Sequence, residues 1–283
     1  MRLVGLTLPY SRYPFDRALE GIARAGYKFV GFGYNHAGSP VLAPDASEQQ
    51  LDELAKQFAA HGLTPGLLWA GVRVMGDDGV QLMKRRLDMA RHLGIKVVTS
   101  SGFDVEISPD VPLSDPATPE PHREYVRRMQ QVGDYAAEQG RTVIIKPHGG
   151  NTGTAARLLK TLRDINRPTV QAYYDPGNVH FYEGIDPAAD IRLLEDSMPA
   201  LCAKDHRGAA REMDFPVPGE GDVDFAAVFA HLLETGFDGW VSVERVDVTD
   251  RGPIAPEVLD ERMARARKNL SALAKGAGFQ QVE

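Results

Sequence analysis

The chain has 283 residues, 43% of them hydrophobic and 25% charged, with a single cysteine. That length and apolar content exclude a disordered tail, and one cysteine excludes an internal disulfide framework or a cysteine-rich zinc site. The formal charge of −7, from 32 basic and 39 acidic residues, argues against a protein that grips a nucleic-acid backbone. No uninterrupted apolar run is long enough to cross a bilayer, so no membrane partner is expected. The opening MRLVGLTLPYSRYPF reads as a first strand and not as a signal peptide. A reducing, cytoplasmic setting is the default expectation.

Short apolar runs rich in Val, Ile and Leu predict strands at 3–6, 29–32, 65–69, 96–99, 143–145, 170–174, 201–203 and 240–243. Near-continuous apolar runs are what a parallel sheet covered by helices requires. The segments between them carry the helix period. After Pro187, Ile191, Leu194 and Met198 share one face; after Asp224, Phe225, Val228, Phe229, Leu232 and Leu233 do the same. Gly26, Gly62, Gly94, Gly140 and Gly236 read as helix stops ahead of the next strand. Eight β-then-α units in one chain predict an α/β fold, a (β/α)8 TIM barrel as a single domain over 1–275, with 276–283 as a fraying tail. An open doubly wound sheet would more often carry a Gly-rich phosphate loop after its first strand. LPYSRYPF is not one, so no nucleotide cofactor is expected.

In a barrel, chemistry belongs at the C-terminal ends of the strands. The long loops 33–46, 100–119 and 206–218 follow strands and fall on that rim. Strand five leads into Lys146-Pro147-His148, strand six into Asp175-Pro176-Gly177-Asn178, strand seven into Lys204-Asp205-His206-Arg207, and strand eight into Glu244. Buried charges of this kind are costly unless paired, so Lys146, Asp175, Lys204, Asp205 and Glu244 are expected to converge. Any one of them alone reads equally well as a solvated loop charge; together they favour a site. His148 and His206 join it by proximity, and Trp69 reads as core filling or as a stacking platform for a sugar ring. In Pro218-Gly219-Glu220-Gly221-Asp222-Val223-Asp224-Phe225, Asp224 suits a helix cap and Glu220 is expected to face the pocket.

Tyr174-Asp175-Pro176-Gly177-Asn178, Lys204-Asp205, the PGEGDVDF turn and Val243-Glu244, in this order, resemble the xylose isomerase-like TIM-barrel superfamily, the sugar phosphate isomerase/epimerase group. The resemblance implies a divalent metal held by a Glu on strand five, an Asp on strand six, a His on strand seven and a Glu on strand eight. Asp175 and Glu244 match two of these positions. Lys146 stands where the first Glu would be and Cys202 where the His would be.

Two versions of the site follow. In one, Asp175 and Glu244, with His148 or His206, hold manganese, magnesium or zinc. In the other, Lys146 supplies the positive charge without a metal, since an ammonium repels a cation and thiolate suits softer ions. Both give proton abstraction next to a carbonyl, by a carboxylate in the metal version and by Glu244 or His206 as base with Lys204 as acid in the lysine version. Asn178, Asp205, Arg207, Glu220, Trp69 and His148 would contact substrate. The expected activity is a sugar or polyol isomerase or epimerase. The alternatives are a dehydratase on a keto-sugar or inosose-like substrate, and a non-catalytic sugar-binding barrel. Homo-oligomers are common in that superfamily.

Overall fold

The computed structural model describes residues 1–196, 198–246 and 252–283. Among the described residues eight strands form the barrel, β1 (Arg2–Leu6), β2 (Phe29–Phe32), β3 (Thr64–Trp69), β4 (Val97–Ser101), β5 (Thr142–Lys146), β6 (Val170–Tyr174), β7 (Ala200–Cys202) and β8 (Trp240–Val243), and a short antiparallel pair, Asn35–His36 with Ser39–Pro40, lies outside it. Each barrel strand pairs in parallel with its neighbour in sequence, and β1 pairs with β8 from Arg2 opposite Trp240 to Gly5 opposite Val243, which closes the barrel. The helices are α1 (Phe15–Arg24), α2 (Glu48–Ala60), α3 (Gly79–His92), α4 (Glu120–Glu138), α5 (Ala155–Ile165), α6 (Pro176–Glu183), α7 (Pro187–Asp190), α8 (Phe225–Glu234) and α9 (Pro256–Ala277). Among the described residues, none is long and apolar enough to cross a membrane.

Two apolar layers result. Val4, Leu6, Leu67, Val97, Ile144, Tyr173, Ala200 and Cys202 fill the barrel, and a larger cluster packs the strands' outer faces against the helices. Asp224 caps α8 as its sequence position suggests, accepting the Ala227 amide at 3.0 Å. Asp224→Ala is therefore expected to cost about 1 kcal/mol of stability, readable as a lower urea midpoint at unchanged slope.

Two expectations fail. The helix predicted through Ile191, Leu194 and Met198 is only α7 and one 3-10 turn, Ile191–Leu193. Leu194 leaves the helical region at φ −88°, ψ 81°, yet all three apolar residues are buried. Short turns bury a spaced apolar set as well as a helix does, and periodicity alone does not separate them. Nor does the 276–283 tail fray: the Leu3 amide donates to the Glu283 carbonyl at 2.8 Å, and Phe279 is buried against Phe229.

Candidate active site

Strand alternation selects which side chains enter the barrel, because residues two apart point the same way. Ile144, Tyr173 and Cys202 are interior. Two residues on, the same parity delivers Lys146, Asp175 and Lys204 to the C-terminal mouth, and from Trp240 through Ser242 it delivers Glu244. These four are almost fully buried, Lys146 at 1% exposure and Glu244 at 6%.

They form a closed set of ion pairs. The Lys146 ammonium lies 3.1 Å from Asp175 Oδ2, donates to Glu244 Oε1, and sits 3.7 Å from Cys202 Sγ. The Lys204 ammonium lies 3.3 Å from the same Asp175 oxygen and 2.5 Å from Glu244 Oε2, and donates to Asn178 Oδ1 at 2.8 Å. Two cations and two anions sum to zero, which makes burial of all four tolerable. Burial alone would raise the Glu244 carboxyl; the two ammonium groups more than reverse this and hold it well below the usual carboxylate range. Burial likewise works against the Lys146 cation, and the Glu244 and Asp175 carboxylates outweigh it, so Lys146 is held protonated.

The supporting shell is local. Asp175 Oδ1 caps α6 by accepting the Asn178 amide at 2.9 Å, while Asn178 Nδ2 donates to the Pro147 carbonyl at 2.5 Å. Gly177 lets α6 approach the β7 strand end: a Cβ there would meet the Lys204 carbonyl oxygen at 2.5 Å.

Asp175, Cys202 and Glu244 place one ligand atom each within 4.8 Å of one another, the geometry of a cation site. The donor set does not fit a hard divalent ion. Lys146 contacts all three would-be ligands, Lys204 takes the second Glu244 oxygen, and burial beside Asp175 pushes the Cys202 thiol up and keeps it protonated. Neither histidine proposed as a ligand belongs to this three-atom group.

The other expected site residues divide. His148 joins an aromatic wall with Trp69 and Tyr182, at ring separations of 6.4 and 6.2 Å, and its buried Nδ1 has no hydrogen-bond partner. Trp69 stacks on Tyr34 at 6.0 Å and 11°. His206 spends both ring nitrogens within its surroundings, Nε2 on the Glu212 carbonyl at 2.6 Å and Nδ1 on His180 Nδ1 at 2.9 Å, so neither is left for a base or a ligand. Asp205 faces the backbone: it accepts the amides of His206, Gly219, Gly221 and Val223, and a Cβ on Gly221 would meet its Oδ1 at 2.3 Å. Glu220 turns away from the mouth to pair with Arg265 at 2.6 Å, and Arg207 donates to the Glu220 carbonyl at 2.5 Å. These last three fold the 206–223 segment and do not line the ion-pair cluster.

Four residues not singled out in the sequence help to build the mouth. The Tyr34 hydroxyl lies 3.5 Å from Glu244 Oε1, Tyr173 and Ser242 share a hydrogen bond at 2.5 Å beneath the lysines, and the Phe215 ring lies 5.8 Å from the Lys204 ammonium. Parity could have found Tyr173 and Ser242; the two loop residues carry no such signal. A cavity of about 250 Å³, lined among others by Leu8, Ser11, Arg12 and Tyr13, has Glu244 in its wall.

Burial lowers His148 to about 4, with Lys146 and Lys204 adding to the effect, so it is neutral at pH 7. The unfolded chain, with an ordinary histidine, then binds more protons between about pH 6.5 and 4. Stability is expected to fall as pH drops through that window, and His148→Gln is expected to flatten the loss. Urea midpoints at pH 7 and 5 for both proteins check this; parallel changes would contradict it.

The sequence model of the xylose isomerase-like TIM barrel matches residues 19–275. An inosose dehydratase of Clostridium tetani is 26% identical over 251 residues, covering 81% of each chain. The rhizopine catabolism protein MocC of Rhizobium meliloti is 25% identical over 289 residues, covering 94% of this chain and 83% of that one. In structure, a xylose isomerase domain protein from Planctomyces limnophilus superposes with a TM-score of 0.73 at 19% identity, covering 98% of each chain. A D-allulose 3-epimerase from Methylomonas sp. gives 0.70 at 20%, covering 96% and 97%. At such identities the structural likenesses establish the fold.

Proposed function

Because this chain belongs to the family of xylose isomerase-like TIM barrels, we propose that it is an enzyme that removes a proton next to a carbonyl of a sugar or polyol, as an isomerase or epimerase. The observation that carries this is Glu244, a carboxylate held ionised between two ammonium groups at the active end of the barrel. Substrate oxygens that insert between Glu244 and the lysines take over the ammonium hydrogen bonds. The freed carboxylate then regains basicity next to the carbon it deprotonates. Lys146 faces the oxygen on which negative charge develops, and Lys204 is placed to return a proton. The stacked pair Tyr34–Trp69 offers a flat wall for the apolar face of a sugar.

Elimination of water is the second reading, favoured by the relatives named inosose dehydratase. It uses the same first step, with Lys204 protonating the departing hydroxyl. A non-catalytic barrel fits less well, since four buried charges are expensive to retain where neutral residues would serve.

Proton NMR in D2O on a panel of ketohexoses and inososes tests the proposal. Deuterium at the carbon next to the carbonyl with a new epimer supports the first reading. Loss of that carbon's neighbouring hydroxyl, with a conjugated enone appearing in the ultraviolet, supports the second. A sugar that binds but takes up no deuterium and loses no water counts against both.

A further inference from the structure

We infer that Lys146 and Lys204 together take the place of a divalent cation, so that this site carries its positive charge in its own side chains and excludes a metal. The inference rests on the reading of this cluster as the active site and deepens it. The Lys146 ammonium stands at the point where a bound ion would contact Asp175, Cys202 and Glu244 at once. Lys204 closes the remaining approach: it holds the second Glu244 oxygen and is itself fixed by Asn178. A divalent ion added to two ammonium groups and two carboxylates would leave a net charge of about +2 in a site screened from water, a state that the low local dielectric penalises heavily. The chemistry a metal would supply at such a position, opposing negative charge on a substrate oxygen, is available from an ammonium already neutralised by exchangeable carboxylate contacts. Substrates are therefore expected to be bound as neutral diols or hydroxyketones through hydrogen bonds from the two lysines, without chelation.

The test needs no turnover, so it stands or falls apart from the proposed activity. Protein purified without chelator is assayed for bound metal, then titrated with Mn2+ by electron paramagnetic resonance, alongside Lys146→Glu and the double variant Lys146→Glu/Cys202→His. The native chain is expected to carry no stoichiometric metal. The variants, which exchange the cation for oxygen and nitrogen donors, are expected to bind one Mn2+ at least about tenfold more tightly than the native chain. If the acidic variants do not fold, Lys146→Gln removes the cation without adding charge, and it too is expected to bind Mn2+ more tightly than the native chain. Stoichiometric metal in the native protein, or a folded variant that binds Mn2+ no better, would overturn the inference.

Discussion

Replacing Lys146 with Met is expected to lower the free energy of unfolding by about 3–5 kcal/mol at pH 7, the range for breaking a buried charge set by removing one partner. Methionine nearly matches the volume, so the loss is electrostatic. Lys204 alone then faces both Asp175 and Glu244, and one carboxylate is left buried without a full counter-charge. That carboxylate's folded pKa rises above its unfolded value, so the folded variant binds a proton that the unfolded chain does not. The deficit should accordingly be largest at neutral pH and shrink as pH falls towards 5. Urea unfolding of both proteins at the two pH values reads this directly. A variant as stable as the native chain at pH 7 would mean that the ion pairs contribute nothing net.

Glu244→Gln is expected to reduce substrate deuterium exchange by about 10²- to 10⁴-fold, the usual contribution of a positioned general base. The amide keeps the shape and can still accept from Lys204, so substrate affinity should change less than the rate. The charge balance changes as well, since two ammonium groups then share Asp175 alone. Circular dichroism and the urea midpoint must therefore accompany the rate. A folded Glu244→Gln protein that exchanges at the native rate would remove Glu244 from the chemistry and turn attention to neutral His148, whose buried Nδ1 has no hydrogen-bond partner.

The barrel was legible because its strands are buried on both faces, and a run such as Thr142–Lys146 or Trp240–Val243 has few other structures available to it. The mouth was legible for the same reason, read one step further. Once strand ends are known to within a residue or two, the cost of burying unpaired charge there brings Lys146, Asp175, Lys204 and Glu244 together without any loop geometry. Residues that depend on loop paths were not legible. Asp205 follows Lys204 directly, yet it is drawn to the amides of Gly219, Gly221 and Val223; His206 is turned towards His180. Glu220 lies in a glycine-rich turn whose path decides whether it meets substrate or Arg265, and no local sequence pattern reads out that choice. Tyr34 reaches Glu244 from the end of β2 across the intervening β1, a contact spanning 210 positions that no local pattern reveals.

The most direct measurement of the central claim is solvent deuterium exchange into a bound ketose or inosose, run with excess chelator, for the native chain and for Lys146→Met. The lysine-built site predicts native exchange unchanged by the chelator, and a loss of about 10²- to 10³-fold in the variant, the order expected when one preorganised oxyanion partner is removed. Native exchange that the chelator abolishes and added Mn2+ restores would contradict it.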